Sequence, residues 1–420
     1  MDDDGPVILV AYAGAWLIEL AKFMPERSVI VVEEPDVIRK RDVRAHTADS
    51  TALRELIEWE FHLDGAADCF YHRYPDLRPS AVIPVNDYSV PFAARLAERY
   101  GVVGAGYGAA VPLRNKHPMR KVTAAAGIPN PDSVRVDGPV EVKAFMAEIG
   151  GPIVLKPANR GASVGTKIVY DPEDIESAWI ECVDQDEGVF VPDRSMPVQM
   201  LAERLLSGEE FSVEMLYRQG RPVFAAATRK YLFPGPRPVE LGHLHPADID
   251  PALADRMIAD TARVLAAVGM DSGFAHCEWI VEDGVPHLVE CAGRMAGDGI
   301  IELVIHAWGY DVVGQFVAMM RGQPLTETPP SAPRQYAAVW FSHEPPGRVE
   351  SVDGLDAARA VPGVHTVIAP TPGAESLPLR SSWDRAALVT AEGATPAEAL
   401  ARAQESVGRI TVTVRPADEI

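Results

Sequence analysis

Two strand-like segments, Ala275–Val281 and His287–Cys291, joined by the turn Glu282-Asp283-Gly284, constrain this chain more than any other feature. Apolar runs linked through an Asp-Gly turn read as an antiparallel hairpin. Pairing Glu278 with Glu290 centres the hairpin on residue 284, so the two carboxylates lie side by side. Like charges placed directly opposite one another are destabilising without a cation. Hard oxygen ligands at this spacing suit Mg²⁺, with nucleotide phosphates completing the shell. The alternative is two exposed glutamates on a solvated sheet face, and the apolar flanks favour the metal.

Lysine is scarce: eight residues, none after Lys230. A lysine inside an apolar strand therefore stands out, and Lys156 lies in the run Ile153–Pro157. Buried, it needs an anion. The loop that follows, Asn159–Gly165, holds Gly161, Ser163 and Gly165, and suits backbone N–H groups bent around a phosphate. The alternative is a hairpin turn beside a partly exposed lysine. Arg294 follows Glu290 by four residues. A fixed guanidinium beside a metal stabilises charge on a transferred phosphoryl group or a tetrahedral intermediate; otherwise it is a structural salt bridge to one of the glutamates. Along Leu201–Glu214 an extended hinge would expose backbone at Arg204 and Leu205. Glu203 could then accept from an adenine amino group and Glu210 from ribose hydroxyls, although alone the segment reads as an acidic strand and turn.

At 420 residues the chain is too long for one compact core. Val7–Val10, Ser28–Glu33 and Ala81–Val85 read as buried strands with helix-like stretches between them, which predicts a parallel sheet over 1–112. The loop Ala11–Ala15 is not a dinucleotide fingerprint, and no P-loop motif occurs. From 113 to 323 the pattern changes to short strands with charged turns, and helices are predicted over Asp171–Val183, Pro251–Val268 and Ile300–Met320. Pro324–Pro333 reads as a linker, and 334–420 as a small α+β cap with strands at Tyr336–Phe341 and Ile410–Val414. The fold class is α/β plus α+β.

With 39 Lys and Arg against 60 Asp and Glu, the net charge of −21 disfavours nucleic acid and anionic membrane as partners. The apolar run Gly5–Ile18 ends at Glu19, short of the roughly 20 residues that span a bilayer. No basic region precedes it, so a secretory signal is not expected. Cys69, Cys182, Cys277 and Cys291 are scattered, which argues against a disulfide framework and fits a reducing cytoplasm.

In order, Asn115-Lys116, Val154–Pro157, Gly161–Gly165, Glu203–Glu210, Glu278 and Glu290–Arg294 resemble the ATP-grasp superfamily over about half the chain. Residues 1–112 look like its pre-ATP-grasp domain, 113–323 like its core, with a lid at about 120–200. Within it, Glu240-Leu-Gly-His243 and Gly293-Arg-Met295 are similar to the carboxylate–amine ligases that join L-amino acids. The resemblance implies ATP with Mg²⁺ (Mn²⁺ as an alternative) and small amino-acid or carboxylate substrates. ATP would phosphorylate a carboxylate, and an amine would displace phosphate to give an amide. Lys116 and Lys156 would hold phosphates, Ser163 and Gly165 would lie on the lid loop, and Glu203 and Leu205 would hold adenine. Glu210 would hold the ribose, Glu278 and Glu290 the metal, and Glu240 and His243 the amino acid. Arg294 would stabilise the acyl phosphate. Many such ligases are homodimers.

One position departs from the family pattern: Ala292 stands where many members have an asparagine, so one metal site would lose a ligand or take substrate or water in its place. Taken alone, His243 also reads as a loop histidine, His276 as a packed strand residue and Asp298 as a helix start. Two other readings stay open. A ligase that loads a carrier thiol would have to overcome repulsion between two acidic proteins. A weakly catalytic nucleotide-binding regulator rests on Ala292 alone.

Overall fold

The computed structural model describes residues 5–184 and 187–416. Its first unit is a four-stranded parallel sheet in the order Leu53–Glu58, Val29–Glu33, Val7–Val10, Ala81–Pro84. The central strands are buried on both faces, which is why they are uninterrupted runs of Val, Ile and Leu. The edge strand Leu53–Glu58 was not anticipated. It carries charge at Arg54, Glu55 and Glu58, as edge strands do, and so lacks an apolar run. Beyond Pro84, Asn86 and Ser89 form a capping box that starts the helix Val90–Tyr100.

A second unit is a four-stranded antiparallel sheet in the order Ser133–Val136, Met200–Arg204, Ile153–Pro157, Lys167–Val169, whose strand Met200–Arg204 runs past the expected lid boundary near 200. Helices Pro139–Ile149 and Ile175–Val183 cover it.

The largest element is an eight-stranded antiparallel sheet. It begins with the hairpin strands Val285–Ala292 and Gly273–Glu282, then Glu209–Arg218, Arg221–Leu232 and Glu240–His245. Residues 336–341, 388–393 and 364–368 then lengthen it, so this part of the C-terminal region is continuous with the core sheet. The remainder forms a small sheet of residues 375–376, 347–353 and 411–416. Helix Pro251–Val268 packs on one face of the large sheet against Phe211, Val213, Met215, Cys277 and Trp279.

Strand periodicity then sends Glu210, Ser212, Glu214, His276, Glu278 and Lys230 to the opposite face. At one end, that face is covered by Ile300–Trp308 and Val312–Met320. These are two helices bent by 109°, not the single helix expected over Ile300–Met320. Gly309 breaks it: its φ is 57°, and a Cβ there would fall 2.2 Å from the Arg334 guanidinium. Among the described residues no single helix is long and apolar enough to cross a membrane.

Candidate active site

The hairpin turn is as expected, with Asp283 and Gly284 both at positive φ (51° and 74°). A two-residue turn alone would pair Glu278 with Val289. The register shifts between Glu278 and Trp279, so Glu278 lies opposite Glu290. The cations that hold these carboxylates together come from the chain. Lys230 Nζ lies 2.6 Å from Glu278 Oε1, and Lys116 Nζ lies 2.8 Å from Glu290 Oε2.

Lys230 is also 2.9 Å from Glu210 and 3.3 Å from Glu240. Three carboxylates share one buried ammonium. Burial opposes its charge, but Glu210, Glu278 and Glu240 outweigh that and hold the amine protonated. Burial also acts on Glu278, where Lys230 and His276 prevail and keep the carboxyl well below the usual range. At Glu210 burial wins and its pKa is raised. His276 links Glu214 (2.8 Å from Nδ1) to Glu278 (3.2 Å from Nε2). Burial again opposes the cation, yet Glu214 and Glu278 push its pKa up to about 10. His276 is thus part of the charge network as well as a packed strand residue.

The second group lies between the large sheet and the four-stranded antiparallel sheet. Lys156 Nζ is 2.6 Å from Glu203, which Arg120 grips through Nε at 2.9 Å and Nη2 at 3.1 Å. Arg120 Nη2 also donates to the Val289 carbonyl (2.7 Å), tying this cage to the hairpin bulge. Despite burial, Arg120 and Lys156 bring Glu203 down to about 2. Leu205 N–H donates to the Pro152 carbonyl at 3.2 Å. Lys116 starts the helix Lys116–Ala125 behind the Asn115 cap and donates to the Arg160 carbonyl (2.9 Å). In the glycine loop Ala162, Ser163 and Gly165 have positive φ (54°, 56° and 67°). Ser163 Oγ donates to the Pro238 carbonyl (2.9 Å), and the Ala162 carbonyl accepts from Ser382 N–H (3.0 Å), so the loop is fastened to the segments around Pro238 and Ser382.

Arg294 makes a bidentate pair with Asp87, both contacts at 2.9 Å, rather than with either glutamate. Asp87 crowds Gly161, where a Cβ would come within 2.8 Å of its carboxylate. Glu240 accepts from Ser382 Oγ (2.6 Å). His243 is fully buried, with Nε2 3.3 Å from Asp298 and Nδ1 without a partner. Asp298 is clamped by Arg385 at 2.6 and 3.1 Å.

Asp87, Arg120, Lys230, Ser382 and Arg385 were missed from the sequence. The argument from lysine scarcity that singled out Lys156 applies equally to Lys230. Asp87 lies just past the carboxyl end of a parallel strand, the usual ligand-binding edge of such sheets. Ser382 and Arg385 carry no comparable local signal.

These features define an ATP-grasp protein: residues 149–302 match the ATP-grasp domain model. Those residues of the chain are an ATP-grasp domain. Within it the chain resembles the L-amino acid ligases, because residues 339–415 match L-amino acid ligase C-terminal domain 2. The fold is that of the L-amino acid ligase of Bacillus licheniformis, with a TM-score of 0.80 and 18% identity over 99% of this chain and 100% of that one. An uncharacterized protein of Sinorhizobium fredii, y4rH, is 27% identical over 73% of this chain and 62% of its own length. The alanine–anticapsin ligase of Bacillus subtilis is 26% identical over 55% of this chain. The chain spans about half the length of that enzyme, 52%.

The donor set fits the groups that the fold implies. Two hard carboxylates face one another across the hairpin, and Ala292, on the same strand, adds no side-chain ligand. The buried cation Lys116 stands beside Glu290, while Lys156 and Arg120 gather at Glu203.

Proposed function

We propose that the chain is an ATP-dependent ligase that joins the carboxylate of one small amino acid to the amine of another, releasing ADP and phosphate. One observation carries this reading: a cation-rich cage and a carboxylate-rich cluster meet at the Glu278–Glu290 hairpin, with Arg294 fixed nearby by Asp87. ATP with Mg²⁺ supplies the phosphoryl group that turns a carboxylate into an acyl phosphate.

Lys116 and Lys156 provide positive charge for phosphates. Glu203, kept ionised by Arg120, and the backbone at Leu205 line the base, and Glu210 lies toward the ribose. Glu278 and Glu290 are the metal ligands. Arg294, pre-oriented by Asp87, stabilises negative charge as the amine attacks. Glu240 and His243, held by Ser382 and Asp298, contact the amino acid. The loop Gly161–Gly165 excludes water that would hydrolyse an acyl phosphate. Four free thiols, three of them buried, agree with work in a reducing cytoplasm.

Phosphate release should be measured with ATP and Mg²⁺ across single and paired amino acids, with mass detection of products. Release that needs two amino acids, with a product lighter than their sum by one water, is expected. Silence across the matrix, with ATP binding intact, overturns the reading.

A further inference from the structure

A cluster outside the active site joins the core to the C-terminal region. His306 lies in the last turn of the helix Ile300–Trp308, His365 lies on the strand Val364–Ile368, and Glu392 lies on the neighbouring strand Leu388–Gly393. One ligand atom from each falls within 4.8 Å of the others. His365 Nε2 is 2.8 Å from Glu392 Oε2, and His306 Nδ1 is 3.8 Å from the same oxygen. In a tetrahedral zinc site with bonds of about 2.0–2.1 Å, ligand atoms stand about 3.4 Å apart, and these two spacings straddle that value.

The surroundings resemble the outer shell of a metal site. Glu302, one helical turn before His306, places Oε1 3.7 Å from His306 Nε2. Thr366 and Thr390 hydroxyls hold that oxygen at 2.7 and 2.9 Å. Gln335 donates to Glu392 Oε2. A carboxylate on the far nitrogen of a ligating histidine fixes its tautomer and orientation. The imidazole rings stack at 3.7 Å, 15° from parallel. Stacked rings hold their in-plane lone pairs in parallel planes, so one ring turns about its Cβ–Cγ bond for both nitrogens to meet one ion.

We propose that His306, His365 and Glu392 form a transition-metal site, oriented by Glu302, that staples the C-terminal strands to the core helix. Two imidazole nitrogens and one carboxylate select Zn²⁺ or a similar borderline ion over Mg²⁺, and three protein ligands leave a position for water. The site is separate from the Glu278–Glu290 pair and does not depend on the proposed ligase reaction.

The test is calorimetric titration of Zn²⁺ into the metal-free full chain with excess Mg²⁺ present, so that hard-oxygen sites are filled. One Zn²⁺ per chain is expected, lost in His365→Ala and weakened about tenfold in Glu302→Gln. Co²⁺ should give a visible ligand-field band in the wild type that His365→Ala lacks. His365 is exposed, and an unchanged melting temperature in chelator would show that the variant is folded. Absence of saturable Zn²⁺ binding by the wild type, or equal binding by folded His365→Ala, overturns the proposal.

Discussion

The two buried charge groups differ in sign. Around Glu203 two cations, Arg120 and Lys156, share one carboxylate. Around Lys230 three carboxylates, Glu210, Glu240 and Glu278, share one ammonium. Uncompensated buried charge costs several kcal/mol, so neither imbalance arises from packing alone. The cation surplus suits phosphate oxygens, and the carboxylate surplus suits metal ions and an amine. The hairpin bulge lies between them, with Arg120 bonded to its Val289 carbonyl and Glu278 bonded to Lys230.

Breaking the carboxylate-rich side should have the largest effect. Lys230→Met leaves three carboxylates without their shared cation, and urea unfolding should show a loss of about 3–5 kcal/mol. A loss under about 1 kcal/mol would mean that the cluster neutralises itself by taking up protons.

The cation-rich side is sharpened by pH. The Glu203 pKa falls from 4.5 to about 2 on folding, so its stabilisation is complete above pH 4.5 and vanishes as pH falls through 2. Across that window Glu203 accounts for about 3 kcal/mol of acid sensitivity. Wild type and Glu203→Gln should converge in stability as pH drops from 5 toward 2; parallel curves would refute the shift.

Arg294→Lys tests the point where the two sides meet. It keeps the charge but not the fork that grips Asp87, and kcat/KM should drop about 100-fold with little change in melting temperature. An equal loss of stability would make Arg294 a structural residue instead. Ser382→Ala should be mildest. It removes one hydrogen bond to Glu240, about 1 kcal/mol, and should raise KM for the amino acid more than it lowers kcat.

Much of the frame was legible because local chemistry dictated it. Val7–Val10 and Val29–Glu33 are apolar on both faces, and only a covered parallel sheet buries them. Asp283-Gly284 announced the hairpin, and scarcity marked Lys156. The edge strand Leu53–Glu58 stayed hidden because Arg54, Glu55 and Glu58 break any apolar run. The union of Tyr336–Phe341 with Glu240–His245 depends on pairing across some 95 residues of sequence, and no local pattern encodes it. Arg385 reaches Asp298 across 87 residues of sequence, again without a local signal. The bulge beside Val289 illustrates a subtler point. Pairing Glu278 with Glu290 was the right expectation, yet an ideal two-residue turn does not produce it.

The central claim, that a carboxylate is activated by phosphorylation before an amine displaces phosphate, is tested most directly with oxygen isotopes. The acid substrate would carry ¹⁸O in both carboxylate oxygens, and the phosphate released during amide formation would be analysed by mass. The account predicts that each phosphate carries one ¹⁸O and each amide keeps the other. Amide formed alongside unlabelled phosphate would contradict it.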